Sequence, residues 1–260
     1  MWLRLRQIAL VVRDIETVFD DLHAVLGLEV GYSEETMPGS AIGMENRVMP
    51  IGTQFLELVS PVRDGVTGQR YIERRGGDGG YMVILQCDDA AARDARVKEL
   101  GIRTVSEDNR PGVVSMLQLH PKDTGGSFLE VDWHVGHDKP NAPWSHAVGT
   151  DWEKAIRTDV VDAIVAAEVQ APAPREVAER WSEVLQAPLT TDAAGNPALA
   201  LDGSIVRFVE DRDGRGEGLG GIDLRATNAH RALKAAEVRG LRAGDDTVLI
   251  GGTRMRLVEA

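Results

Sequence analysis

The sequence is poor in several features that mark particular classes of protein. Its single cysteine, Cys87, excludes an internal disulfide and is typical of a protein of the reducing cytoplasm. No apolar run approaches the ~18 residues of a membrane-spanning helix. Lys and Arg number 29 against 41 Asp and Glu, and the resulting net charge of −12 disfavours nucleic acid or an anionic membrane as a partner. These absences leave a small molecule as the expected partner.

The chain contains an internal repeat of a strand, a helix and further strands. The helix of the first copy has a single apolar stripe, formed by Ile15, Val18, Phe19, Leu22, Val25 and Leu26. Asp14 is its expected N-cap and Gly27 follows its end. The second copy begins at Tyr81, and two more begin near Ala163 and Gly221. We therefore predict an α+β fold of four tandem βαβββ modules, grouped as two pairs.

A segment rich in proline, glycine and histidine separates the two pairs. It has no hydrophobic periodicity, so we interpret it as a linker. The predicted organisation is a first domain at residues 1–135 with the candidate site, a linker at 136–158 and a second domain at 159–260. Each pair of modules can complete its fold within one chain, and the strand edges are compatible with a homodimer.

Two strands of the first pair carry a glutamate inside an apolar run. In "SFLEVDW", the alternation of a strand places Phe128, Glu130 and Asp132 on the same face. In "QFLELVSP", Glu57 interrupts a similar apolar run. A carboxylate on such a strand is either solvated at the rim of a sheet or recruited for chemistry.

Two motifs resemble those of the vicinal oxygen chelate superfamily, which includes the glyoxalases, the bleomycin-resistance proteins and the extradiol dioxygenases. "HPKDTGGSFLEV" is similar to the "HPKxTGGxLxEL" motif of the methylmalonyl-CoA epimerase branch, and "MPIGTQFLELVSP" to its "LPVGxxxxELLxP" motif. The resemblance covers about residues 5–133, and only the repeat supports it beyond them. It implies that each pair of βαβββ modules forms a half-open, glyoxalase-like barrel.

The resemblance also implies a divalent metal site. In this superfamily two first-strand and two last-strand residues of a module pair chelate an ion that stabilises an enolate-like charge. Carried over by position, the metal ligands are Gln7, Glu57 and Glu130, and the two glutamates are the candidate catalytic residues. The fourth position falls on Met82 or, with one residue of slippage, on Tyr81. Since a thioether suits soft ions, we expect a three-ligand site for Mn, Co, Ni, Zn or Fe.

Two functions are compatible with this site. The favoured interpretation is a metal-dependent lyase or isomerase that acts on a small carbonyl or carboxylate compound through an enolate-like intermediate. Tyr81, Met82 and His120 would then surround the substrate. The position of the epimerases' catalytic base falls on Ala41, and this replacement, together with Met82, favours the alternative. That alternative is a non-catalytic small-molecule-binding protein of the bleomycin-resistance type.

The remaining motifs predict no further cofactor. The segments "GGDGG" and "GRGEGLGG" lack the Lys-Ser/Thr ending of a phosphate loop and lead into strands, so no nucleotide cofactor is expected. His134 and His137 have close spacing, but no second pair of ligands completes a zinc set. In the second module pair, the last-strand ligand positions fall near Arg207 and Arg256, which would repel a cation.

Overall fold

The computed structural model describes residues 1–34, 43–136, 144 and 151–259, and within them each predicted module begins with a strand followed by a helix. The first module comprises β1 (Leu3–Val11), α1 (Ile15–Leu26), β2 (Tyr32–Glu34), β3 (Met44–Ile51) and β4 (Gln54–Pro61), and is followed by α2 (Thr67–Arg75). The second comprises β5 (Gly79–Cys87), α3 (Ala90–Glu99), β6 (Thr104–Arg110), β7 (Val114–Leu119), α4 (Pro121–Thr124) and β8 (Phe128–His134).

The third and fourth modules repeat this order after a short 3-10 helix at Trp152–Ala155. The third comprises β9 (Val161–Gln170), α5 (Pro174–Leu185), β10 (Leu189–Thr191), β11 (Pro197–Leu201) and β12 (Ser204–Val209). The fourth comprises β13 (Gly218–Ala226), α6 (Ala229–Arg239), β14 (Thr247–Ile250) and β15 (Thr253–Glu259). Residues 137–143 and 145–150 of the predicted linker lie outside the described residues, as do Ala41 and His137.

Local sequence signals explain where the helices begin and end. Asp14 caps α1, because its carboxylate accepts a hydrogen bond from the Thr17 N–H at 3.0 Å. Helix α1 ends at Gly27, which has the left-handed φ of 72° that glycine adopts without strain. The third module lacks this glycine, and Gln186 takes the left-handed conformation there instead, with φ of 48°.

Within the described residues the strands form two mixed sheets, which confirms the α+β class. The first sheet has the order β2-β3-β4-β1-β5-β8-β7-β6 and the second has the order β10-β11-β12-β9-β13-β15-β14. The first strand pairs in parallel with the last strand of the same module in β5–β8, β9–β12 and β13–β15. The other strands of these modules pair as antiparallel hairpins. This register decides which side chains share a face.

The chain divides into two compact units. The first consists of residues 1–7, 81–144 and 166–220, and therefore holds most of the second and third modules. In it, α3 contacts α5, and the Arg93 guanidinium donates to the backbone carbonyl of Leu185. The second unit consists of residues 8–80, 145–165 and 221–260, with most of the first and fourth modules, and in it α1 packs against α6.

No helix in the described ranges is long and apolar enough to cross a membrane.

Candidate functional site

Strand β8 places Glu130 on a buried polar face of the first unit. Glu130 is directly opposite Ile84 on β5 and Gln118 on β7. Its side chain is only 6 % exposed, so it is not a solvated residue at a rim. Since paired residues of neighbouring strands point to the same side of a sheet, Glu130 shares its face with Gln118.

An amide side chain that the sequence interpretation missed holds Glu130. Gln118 Nε2 donates to Glu130 Oε2 at 3.1 Å and lies 3.6 Å from the sulfur of Met82. Met82 is directly opposite Phe128, two residues before Glu130, so the register brings Met82 to the face of Glu130. Tyr81, the other candidate for that position, instead packs its ring 5.1 Å from the ring of Phe128.

Gln7 and His120 also belong to the first unit. Gln7 lies within β1 and is 6 % exposed, so it does not cap a solvated strand end. His120 precedes the short helix α4, and its Nδ1 accepts the N–H of Lys122 at 3.2 Å. In the same turn Asp123 accepts from the guanidinium of Arg103 at 2.7 Å, which holds the pKa of Asp123 well below its usual range. The His120 side chain therefore stabilises this turn. Its predicted contact with substrate stays a proposal.

Glu57 belongs to the second unit, where it has a network of its own. Asn46 Nδ2 donates to Glu57 Oε1 at 2.9 Å, and the side-chain oxygen of Asn46 accepts the backbone N–H of Glu34 at 2.9 Å. Glu34 also accepts a hydrogen bond from the hydroxyl of Tyr32 at 3.2 Å. Burial and the neighbouring carboxylates raise the pKa of Tyr32, because its anion would be poorly solvated and repelled.

Beyond Glu130, the same face of β8 carries two further titratable side chains that sequence reasoning did not assign to the site. Asp132 and His134 are 3 % and 2 % exposed. Asp132 shares a side-chain hydrogen bond with Glu130, so one of the two carboxyl groups must carry a proton. Burial raises the pKa of Asp132 to about 8, while the side-chain hydrogen bond with Glu130 lowers it.

His134 is buried in its neutral form at the end of β8. Burial, and then the charges of Arg6 and Arg110, lower its pKa to about 4. The ring of Trp144 lies 4.2 Å from the His134 ring, and the Arg6 guanidinium lies 5.1 Å from the Trp144 ring. His134 was predicted to lie just before the linker. The alternation of Phe128, Glu130 and Asp132 places it on the same face of β8, and this alternation could have been recognised in the sequence.

The equivalent positions of the third and fourth modules carry ion pairs. In the first unit, Arg207 on β12 is directly opposite Glu168 on β9, with 2.8 Å from Nε to the carboxylate oxygen. In the second unit, Arg256 on β15 is directly opposite Asp223 on β13, with 3.2 Å between Nε and Oδ1. Each arginine that was predicted at a ligand position therefore bonds to a carboxylate of the neighbouring strand.

A family model for a glyoxalase-like domain matches residues 8–185, which are more than half of the chain. The chain belongs to this glyoxalase-like family. Among curated proteins, mitochondrial methylmalonyl-CoA epimerase of Mus musculus is 26 % identical to this glyoxalase-like chain over 131 residues, or 50 % of this chain and 72 % of the epimerase. The predicted resemblance to the vicinal oxygen chelate superfamily is thereby confirmed.

Two solved structures share the fold of this glyoxalase-like chain. A hypothetical protein from Staphylococcus aureus superposes with a TM-score of 0.67 and 12 % identity over 100 % of both chains. A mutant 4-hydroxymandelate synthase from Streptomyces coelicolor superposes with a TM-score of 0.67 and 14 % identity, over 91 % of this chain and 75 % of the synthase. These likenesses confirm the predicted fold of tandem modules in two half-open barrels.

The donor set that the resemblance implies suits a hard divalent ion in part. Gln7, Glu57 and Glu130 offer an amide oxygen and two carboxylates, which are ligands for ions such as Mn²⁺. Met82 offers a thioether at the fourth position, and its sulfur lies beside the Gln118 amide. Within the described part of the chain, no group of three or more His, Cys, Asp and Glu is arranged to hold a metal. By donor type alone, Gln7, Glu57 and Glu130 suit such an ion and Met82 does not.

Proposed function

We propose that this glyoxalase-like protein is a metal-dependent lyase or isomerase that acts on a small carbonyl or carboxylate compound. Glu57 and Glu130 would be its catalytic residues, and together with Gln7 they would hold the divalent ion, while Tyr81 and Met82 border the substrate. The bound ion would supply Lewis-acid stabilisation of an enolate-like charge. His120 would contact the substrate from the turn before α4. The isomerase activity that the name of the mouse epimerase states is compatible with this reaction class.

The observation that supports the proposal most is the environment of Glu130. Its carboxylate is 6 % exposed and accepts a hydrogen bond from the Gln118 amide. Burying a carboxylate is costly, and a neutral amide lowers that cost without supplying a positive charge. A cation bound at this face would favour the ionised form of Glu130.

Thermal unfolding with and without Mn²⁺ or Co²⁺ tests the proposal. Wild-type protein purified without chelator should contain one ion per chain, and added ion should raise its Tm by mass action. Glu130→Gln should abolish that rise and leave the metal-free protein as stable as the wild type or slightly more so. Glu107→Gln, on the exposed strand β6, is the matched control and should keep the full rise. If Glu130→Gln also keeps it, Glu130 is not a ligand.

The bleomycin-resistance type of function, binding without catalysis, is the second candidate. Met82 supports it, because a buried thioether stands where the superfamily has a metal ligand. On this alternative the wild type would bind no divalent ion, and small apolar or anionic ligands would raise its Tm instead. A homodimer is compatible with either function, and light scattering at several concentrations would test it.

A further inference from the structure

Each of the two proposed catalytic glutamates accepts a hydrogen bond from a side-chain amide of its own module. Asn46 on β3 donates to Glu57, with 2.9 Å between Nδ2 and Oε1. Gln118 on β7 donates to Glu130, with 3.1 Å between Nε2 and Oε2. We propose that Asn46 and Gln118 are positioning residues, each of which holds its own glutamate in the orientation that ligates a divalent ion. This inference rests on the proposed function, because it requires that the glutamates be ligands.

The orientation of both amides is determined by their neighbours. The Asn46 side-chain oxygen accepts the backbone N–H of Glu34 at 2.9 Å, so its NH₂ group must point to Glu57. The Gln118 NH₂ group contacts two acceptors, the Glu130 carboxylate and the Met82 sulfur at 3.6 Å. The thioether has no proton to give, so the contact with Met82 requires the nitrogen at that place.

The charge of the donor matters as much as its position. An arginine would hold a carboxylate equally well but would neutralise it, whereas an amide leaves its charge available to a cation. The other two modules have the opposite arrangement. Their last strands carry Arg207 and Arg256, and the residues directly opposite on the hairpin partners are Ala198 and Thr247, neither of which has an amide. Glu130 has Gln118 directly opposite, whereas Glu57 has Val48 directly opposite and is reached by Asn46 from two residues earlier on β3.

The affinity for Mn²⁺ measured by thermal shift tests the role of the two amides. Gln118→Met keeps the length of the side chain and removes the donor, and Asn46→Leu does the same on β3. We expect each to weaken Mn²⁺ binding about 10- to 100-fold, as the loss of an outer-shell partner does. Gln69→Leu is the control, because Gln69 on α2 donates to the carboxylate of Glu73 at 3.0 Å outside the site, and it should leave the affinity unchanged.

A measurement without metal separates positioning from stability. The Tm values of Gln118→Met, Glu130→Leu and the double variant should be non-additive, because the two residues are bonded. If Gln118→Met lowers the Tm but binds Mn²⁺ like the wild type, Gln118 is merely structural and the inference is wrong, while the proposed function stands. If the wild type binds no divalent ion, both fail together. Gln118→Asn, which keeps the amide on a shorter side chain, is available should Gln118→Met not fold, and it should also weaken binding.

Discussion

The second and third modules have the same strand order and belong to the same compact unit. At equivalent positions of their last strands, however, they carry side chains of opposite charge. In the second, Glu130 on β8 is directly opposite the aliphatic Ile84 on β5. In the third, Arg207 on β12 is directly opposite Glu168 on β9. Ile84 and Glu168 each lie six residues before the start of the following helix, so the pairs occupy the same place in the repeat.

The pairs of facing residues two positions further along these strands also differ between the two modules. Gln86 and Gln170 are both fully buried at this place, but Gln86 is opposite Asp132 and Gln170 is opposite Val209. The second module therefore keeps two carboxyl groups on one face, whereas the third has an ion pair and an aliphatic residue. The same backbone arrangement thus carries a candidate functional site in the second module and a buried ion pair in the third. A few side-chain differences account for this.

The largest expected effect comes from breaking the ion pair of the third module. Arg207→Met should lower the free energy of unfolding by about 3–5 kcal/mol, because it removes the guanidinium that lies 2.8 Å from the carboxylate of Glu168, a residue only 4 % exposed. Urea unfolding measures the loss. Arg212 lies 3.7 Å from the same carboxylate but is 54 % exposed, so Arg212→Met should cost less than about 1 kcal/mol. Equal losses in the two variants would show that Arg207 has no special role.

An ion pair like that of Arg207 and Glu168 can be introduced into the second module at positions 130 and 84. Its effect on stability tests whether these positions are structurally equivalent to those of the third module. Glu130→Arg alone should destabilise the protein by about 2–4 kcal/mol, because it buries an unpaired charge. Adding Ile84→Glu should recover at least half of that loss, since the new carboxylate is directly opposite on β5. Neither variant should respond to Mn²⁺. If the double variant is no more stable than the single one in urea unfolding, the two registers differ in geometry as well as in sequence.

Sequence reasoning predicted the elements better than the partners of the site residues. The repeat and the helix ends could be predicted because they depend on local signals, such as the Asp14 cap and Gly27 after α1. Gln118 and Asn46 were missed because their role depends on the hairpin register, which places each of them beside a distant glutamate. Alternation along a single strand indicates the face of a side chain and does not say what lies opposite it.

The ion pair of the third module also could not be predicted from the sequence. The arginine at position 207 was predicted to repel a cation, but its bond to Glu168 depends on a parallel pairing between strands separated by a helix. The assignment of Met82 rather than Tyr81 to the face of Glu130 likewise required the β5–β8 register. These contacts are non-local, and no local propensity encodes them.

A smaller effect concerns the turn before β8, where the second module packs against the third. Gly126, with φ of +74°, packs so closely that a Cβ there would lie 2.8 Å from Val169 and 3.2 Å from Val177. Gly126→Ala should cost about 2–3 kcal/mol, from backbone strain and from the steric conflict. Gly112 has φ of +72° with open space around it, so Gly112→Ala reports the strain alone and should cost about 1 kcal/mol. Urea unfolding that gave the two variants the same loss would exclude close packing at Gly126.

The smallest effect is a pH dependence that the second module owes to His134. The folded pKa of His134 is about 4 against an ordinary value of 6.5, so between these values the unfolded chain binds more protons, and stability is lost as the pH falls. Asp132 contributes the opposite slope, because burial raises its pKa to about 8 and the folded chain keeps its proton from about pH 4 upward. The pH dependence of the wild-type unfolding free energy therefore combines the effects of His134 and Asp132.

Comparing the wild type with His134→Gln isolates the histidine. The groups that face it, Asp132, Asp108, Arg6 and Arg110, are the same in both proteins. The difference in unfolding free energy between wild type and variant should therefore shift by about 1 kcal/mol against the wild type from pH 7 to pH 5.5. The exposed His230 on α6 is the control, and His230→Gln should show a much smaller shift. A difference between wild type and His134→Gln that stays constant over this range would mean that His134 accepts its proton in the folded protein as readily as in the unfolded chain.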